Sequence, residues 1–177
     1  LRPGTNVALF NAIAKVLIEE GLIDRTYIEQ RTEGFDALAE FVRGISLEQA
    51  ERITNLDVDQ IAHAARLIGR AGPSLFVTGL GLSEMTQGTA SVMTAANLGM
   101  LTGSIGRLGA GMLPLRGQNN VQGNADMGSM PNLVTGYQSL DDDHGRQRLE
   151  HIWGNAPPRE PGLTLPEMFE AANAGNL

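Results

Sequence analysis

Ser74-Leu75-Phe76-Val77-Thr78 runs directly into Gly79-Leu80-Gly81, and a second apolar stretch, Thr89 to Leu101, follows after a short connection. The first five residues are too short and too apolar for a surface helix and are closed by glycines, the pattern of a buried strand. In Thr89 to Leu101 the residues Val92, Met93, Ala96, Leu98 and Met100 spread over much of a helical circumference, which predicts a helix packed on both sides. Strand, glycine turn and buried helix read as a Rossmann-like half-unit, so the expected fold class is α/β and helix-rich. Open α/β sheets place ligands at the carboxyl ends of their strands. The connection from Gly79 to Gln87 is therefore a candidate ligand loop.

Upstream of that unit the pattern is helical. Asn6 is a candidate N-cap, and Phe10, Ile13, Ala14, Leu17 and Ile18 follow at helical spacing until Gly21 supplies a stop. Short helices are expected around Thr26 to Gln30 and across Phe35, Leu38 and Val42. Ser46 with Gln49, and Asp57 with Gln60, form two capping-box signatures. They predict helices over Leu47–Thr54 and Val58–Arg70.

Downstream, twelve of the 22 glycines lie between Gly79 and Gly136, which predicts mostly loop there. Met112, Leu113, Leu115, Val121, Met127 and Met130 argue against a solvated linker and for order on a ligand or partner domain. Asp141-Asp142-Asp143 precedes an expected helix through Leu149, Ile152 and Trp153. Acidic residues at a helix start are favoured by capping and by the macrodipole, so a structural role is expected for them rather than a metal site. A last helix is expected from Leu165 to Ala174.

Composition narrows the function classes. The 177 residues carry a formal charge of -7, with 42% hydrophobic and 19% charged residues. That balance disfavours nucleic acid and anionic membranes as partners. No apolar run is long enough to insert in a membrane. There is no Cys, so this stretch supplies no thiolate metal ligand, disulfide or iron–sulfur ligand. The start, Leu1-Arg2-Pro3-Gly4, has no initiator Met and reads as cut from something longer.

The densest polar run is Arg116-Gly117-Gln118-Asn119-Asn120-Val121-Gln122-Gly123-Asn124. It offers one cation and a row of amides that both donate and accept. Arg116 is its informative member, because a guanidinium fork holds a carboxylate or phosphate with two parallel hydrogen bonds. From spacing alone, contact with a polar ligand and a solvated loop whose Asn and Gln make their own turns are equally good readings. His63, His144 and His151 share no metal-binding spacing with a carboxylate. Gly79-x-Gly81 matches a dinucleotide loop only in part, since Glu84 stands where a third glycine would fall. No G-x-S-x-G elbow supports hydrolase chemistry.

Leu115-Arg116-Gly117-Gln118-Asn119-Asn120-Val121-Gln122-Gly123, with Leu101-Thr102-Gly103-Ser104-Ile105-Gly106-Arg107 before it and Ala125-Asp126-Met127-Gly128 after it, closely resembles the catalytic subunit of molybdenum or tungsten formate dehydrogenases. Leu1 to Leu9, Val16 to Ile23, Met130-Pro131-Asn132 and Gly136-Tyr137-Gln138 resemble it in the same order. The wider family is the molybdopterin oxidoreductases, whose members are several times longer than this chain. The resemblance implies an internal fragment of an enzyme that oxidises formate to carbon dioxide at molybdenum or tungsten held by two molybdopterin guanine dinucleotides. The Cys or selenocysteine metal ligand, its neighbouring His and the cysteines of a [4Fe–4S] cluster would then lie upstream, leaving the fragment inactive alone.

By the same resemblance, Arg116 orients formate. Gly4, Thr5 and Asn6 fall where the family has a polar triplet near a guanosine end, often closed by Asp; Asn6 keeps a hydrogen-bonding side chain without the charge. Leu80 and Glu84, flanking Gly81, fall where many members have Met and Gln on a pterin loop. Glu84 thus either sets a negative charge toward an anionic cofactor or must carry a proton there. Gly117 and Gln118 complete the implied cofactor contacts, and no metal ligand is expected in this chain. Residues 1–117 are expected to be the later part of an α/β cofactor domain, and 118–177 a loop and helices leading into a second cofactor-binding domain. The implied partners are formate, the remainder of the polypeptide and electron-transfer subunits or an acceptor, in the cytoplasm or alternatively the periplasm. Two other readings stand beside this one: another molybdopterin oxidoreductase, and a non-catalytic binding domain of the same fold.

Overall fold

The helix expected from Phe10 to Ile18 forms as α1 (Asn6–Glu19) in the computed structural model, which describes residues 1–177. Its stripe of Ala12, Ile13, Ala14, Val16 and Leu17 is buried, and Gly21 at φ 68° turns the chain away after the last turn. Asn6 does not cap it. The cap position is Thr5, whose hydroxyl donates to the Arg2 carbonyl at 2.6 Å, and Asn6 is already helical. The reason is the turn at Gly4 (φ 78°), which folds Thr5 back onto Arg2 while the Arg2 N–H bonds the Thr54 carbonyl at 2.7 Å.

Four more helices follow: α2 (Arg25–Arg31), α3 (Phe35–Arg43), α4 (Leu47–Thr54) and α5 (Val58–Ala71). The Gln60 side chain reaches back to the Asp57 N–H at 3.2 Å, as its signature predicts. Only half of the Ser46 box forms. Ser46 Oγ accepts from the Gln49 N–H at 3.2 Å, while its own proton goes to the Glu48 carboxylate. Helix α1 packs against α3, α4 and α5, burying Val42, Ala50, Ile61 and Ala65 with Leu17. The α1–α5 approach needs Gly69, where a Cβ would stand 2.8 Å from Leu17 Cδ2 of α1 and 2.6 Å from Leu22 Cβ just beyond it.

The strand appears as β1 (Leu75–Thr78), followed by α6 (Leu80–Ser83), α7 (Gly88–Leu101) and β2 (Gly111–Pro114). β1 and β2 pair in parallel, Leu75 opposite Gly111 and Thr78 opposite Pro114, so the half-unit is a complete βαβ crossover. Three expectations are corrected here. β2 lies inside the stretch expected to be loop, because Gly111 and Pro114 mask its strand character. β1 is not buried: Leu75 is 49% and Val77 54% exposed, since the two-stranded sheet is covered on one face only, where Phe76 meets Gly99 of α7. The Gly79–Gln87 connection begins as a helical turn, Leu80–Ser83, and only its second half is loop. Helix α7 packs against α1, α2, β1 and β2, but Met93 stays exposed.

By its contacts the chain forms two compact units, Leu1–Leu115 and Arg116–Leu177. The second contains α8 (Val121–Asp126), the short hairpin of β3 (Leu133–Val134) and β4 (Gln138–Ser139), α9 (Asp143–Trp153) and α10 (Leu165–Asn173). Asp142 caps α9 by accepting from the His144 N–H at 3.1 Å, and Asp143 pairs with Arg159 at 3.0 Å, so the acidic run has the structural role expected of it. No helix is long and apolar enough to cross a membrane.

Candidate functional site

In the first unit a cavity of about 390 Å³ opens beside the α1 N-terminus. Gly4 and Thr5 line it with Asn11 of α1, Ser46 and Gln49 at the start of α4, and Gln87 just before α7; Ala8, Phe41 and Ile53 supply apolar wall. The volume is in the range of small-ligand pockets, and an apolar wall with a few amides is their usual make-up. The Ser46 hydroxyl hydrogen bond holds the neighbouring Glu48 carboxyl below the usual carboxylate range. Asn6 does not line the cavity. Asn11, Gln49 and Gln87 were missed from sequence. Asn11 carried a signal, being a polar residue on the apolar stripe of α1 and only 8% exposed; Gln49 reads from sequence only as a capping residue.

Leu80, Gly81 and Glu84 are exposed at the carboxyl end of β1, outside that cavity, although Gln87 of the same connection reaches it. Glu84 ends α6, its N–H bonded to the Leu80 carbonyl at 2.8 Å. The connection closes tightly onto α7: a Cβ at Gly88 would stand 1.9 Å from the Ser83 carbonyl oxygen.

Leu115, last residue of the first unit, donates its N–H to the Thr78 carbonyl at 2.8 Å, at the carboxyl ends of both strands. Arg116, Gly117 and Gln118 come next along the chain, all exposed, and the Arg116 guanidinium has neither a hydrogen bond nor an ion pair. The polar run is loop only in its first half. Asn120 takes a left-handed conformation (φ 51°) and α8 begins at Val121, with Gly123 so close to the Asn120 amide that a Cβ would stand 2.5 Å from it. An unpaired guanidinium in such a loop is available to an anion. His63, His144 and His151 are exposed, and no three His, Asp or Glu side chains converge as metal ligands would.

Residues 1–176 match the family described as Molybdopterin oxidoreductase. The chain belongs to the molybdopterin oxidoreductases. Within this family it is 43% identical over 168 residues to the F420-dependent formate dehydrogenase subunit alpha of Methanocaldococcus jannaschii, covering 95% of this chain and 25% of that protein. It is 38% identical over 178 residues to formate dehydrogenase H of Escherichia coli, covering 100% of this chain and 25% of that protein. A nitrate reductase of Synechocystis is 33% identical over 172 residues, 96% of this chain and 24% of that one. Among solved structures, acetylene hydratase from Pelobacter acetylenicus superposes with a TM-score of 0.58 at 28% identity, covering 62% of this chain and 15% of that chain. The chain therefore spans about a quarter of the length of the formate dehydrogenases it matches.

Proposed function

We propose that this chain is part of a formate dehydrogenase catalytic subunit, in which Arg116 holds formate for oxidation to carbon dioxide. The observation that carries the reading is the unpaired guanidinium of Arg116 in a loop otherwise made of Gly, Gln and Asn, in a sequence 43% and 38% identical to formate dehydrogenase subunits. A carboxylate of one carbon offers little besides two oxygens to grip, and the two-pronged Arg fork matches that shape. Gln118 is placed by sequence to supply an amide beside it.

The cofactor in this reading is a molybdopterin guanine dinucleotide pair carrying Mo or W; when bound, its metal takes up the two electrons that formate loses. The residues present fit part of it. The cavity beside Gly4 and Thr5 has the size and the amide donors and acceptors, Asn11, Gln49 and Gln87, that a purine edge pairs with. Asn6, outside that cavity, adds an amide in the same segment. The exposed turn of Leu80, Gly81 and Glu84, and the Gly117 and Gln118 backbone, are the proposed pterin-side contacts. Glu84 is best suited to a neutral donor there, because a carboxylate facing a pyrophosphate is repelled. Residues 1–117 then belong to one cofactor-binding domain and 118–177 lead into another. The metal ligand and the cysteines of a [4Fe–4S] cluster, together with contacts to electron-transfer subunits, belong to the remainder of a longer polypeptide, and the fragment alone is inactive.

The test is Arg116→Ala in the full-length enzyme. Formate oxidation should fall by about a hundredfold or more, with bound Mo or W unchanged. Unaltered formate turnover would remove Arg116 from the site. A second reading, a molybdopterin oxidoreductase acting on nitrate, draws on the Synechocystis relative; nitrate reduction without formate oxidation by the full-length protein would favour it.

A further inference from the structure

The turn between α7 and β2 contains Gly103, Gly106 and Gly109, and Gly111 opens β2, all four at positive φ. Such a segment has many conformations of its own, yet it delivers β2 to one register and, one residue past Leu115, delivers Arg116. Two anchors hold it. The inner one is Ser104, fully buried, whose Oγ accepts from the Ser74 N–H at 3.0 Å and pairs with the Thr102 hydroxyl at 2.7 Å. The outer one is Asp24, in the turn before α2. Its backbone N–H donates to the Leu101 carbonyl at the end of α7, 2.8 Å away. One carboxylate oxygen accepts from the Tyr27 N–H at 2.9 Å and the other from the Arg107 guanidinium at 2.6 Å. Gly103 is pressed against the same carboxylate, since a Cβ there would stand 2.5 Å from Asp24 Oδ2. Asp24 thus touches the end of α7, the first glycine of the turn and the arginine in its middle.

We propose that Asp24 and Arg107 form a latch that positions Arg116, and this rests on the reading of Arg116 as the formate-holding residue. The latch limits the slack of the glycine turn, so β2 stays paired as Leu75 with Gly111 and Thr78 with Pro114. A slip of one residue would move every side chain of β2 to the opposite face and shift Arg116 by roughly 3.3 Å. A misplacement of about 1 Å at a reacting centre is already enough to cost a large factor in rate. Neither residue touches substrate in this account; both are positioning residues.

The experiment uses the full-length holoenzyme with four variants. Asp24→Asn keeps an acceptor for the Tyr27 N–H and removes the charge; Arg107→Gln removes the other partner; the double variant removes both; Arg107→Lys restores a cation. Hydrogen–deuterium exchange is read on peptides spanning residues 111–116. It should quicken by roughly two- to fivefold in each single variant, the scale of a partly exposed ion pair. The double variant should go no further, and Arg107→Lys should return most of the protection. In the same proteins KM for formate should rise by about three- to tenfold, while KM for a viologen dye as electron acceptor and the bound metal stay as in the parent. Unchanged exchange in both single variants, or additive effects in the double, would overturn the latch. Faster exchange with an unaltered formate KM would overturn its positioning role. Failure of the formate reading itself shows separately, as unaltered turnover in Arg116→Ala, and leaves the exchange result standing.

Discussion

The two units of this chain are held together in different ways. In Leu1–Leu115 five helices and a βαβ crossover share a continuous apolar core that runs from Ala12 and Leu17 through Val42, Ile61 and Ala65 to Leu98 and Leu101. In Arg116–Leu177 the buried apolar cluster is only Val134, Leu140 and Leu149. The second unit relies instead on local devices: the Asp142 cap of α9, the Thr164–Glu167 exchange at the start of α10, and buried Arg146 donating to the Pro158 carbonyl. Leu165 and Phe169 of α10 stay about two-thirds exposed. Short elements with few apolar partners gain little from burial. The polar run that carries Arg116 therefore opens the less self-supporting unit, the usual setting of binding loops.

The sharpest way to break this contrast is to remove matched leucines. Leu17→Ala should cost ~2–5 kcal/mol, toward the upper end because Leu17 is fully enclosed and its neighbours are helices that cannot easily collapse. Leu149→Ala should cost about 2 kcal/mol, the lower end of the same range. Trp153 is the chain's only Trp and sits in the second unit, so its fluorescence reports that unit while far-UV circular dichroism follows mainly the helical first. In urea the Trp153 transition should precede the dichroism transition, and Leu149→Ala should widen the gap. Coincident curves in the parent and both variants would mean that the units unfold as one.

A smaller effect is expected from Ser104→Ala. It leaves the part-buried Ser74 N–H without its acceptor, while the Thr102 hydroxyl keeps its bond to the Leu98 carbonyl at 2.9 Å, for about 1–3 kcal/mol. The dichroism transition should move to lower urea with the Trp153 transition in place; equal movement of both would erase the distinction between units. Gly128→Ala is the counterpart in the second unit. Gly128 has φ 88°, and its Cβ would stand 2.7 Å from the Thr135 N, so a loss of about 1–2 kcal/mol should appear first in the fluorescence.

The smallest effect is acid titration. Hydrogen bonds from the Thr164 hydroxyl and N–H hold the Glu167 carboxyl below the usual carboxylate range, and the Arg66 hydrogen bond does the same for Glu20. Both groups are exposed. A lowered folded-state value means that the contribution is complete above the ordinary carboxylate pKa and is lost as pH falls through the lower folded value. Thr164→Ala should flatten the acid limb of the Trp153 transition, and Arg66→Gln that of the dichroism transition. An acid limb that neither variant changes would remove these carboxylates from the comparison.

The sequence reading and the structure part company at identifiable residues. Helices α2 to α5, α9 and α10 were legible because periodicity and first-turn chemistry are local, as with Asp57 and Gln60 or the acidic start of α9. β1 was legible as a strand, but its exposure was not, because exposure depends on what lies across the sheet. β2 was illegible: Gly111 and Pro114 are poor strand residues, and their pairing with β1 spans the whole of α7. The run at Arg116 was visible as a motif from its composition. That its guanidinium lacks a partner, and that Asn120 turns left-handed to start α8, required coordinates. Gly4 and Thr5 were singled out by resemblance, whereas the Asn11, Gln49 and Gln87 amides around their cavity come from three separate segments.

What the sequence determined by itself was helices α1 to α5, α7, α9 and α10, several of their caps and stops, the strand that begins the crossover and the family resemblance of the Arg116 run. Each rests on interactions within one or two helical turns, or on residue identity alone. Tertiary structure alone decided the β1–β2 register, the convergence of amides on the Gly4 cavity and the grip of Asp24 on the Gly103–Arg107 turn. These join residues far apart in the chain, where the favourable term is mutual burial or a shared hydrogen bond, and no local pattern of residues encodes which distant partner will supply it.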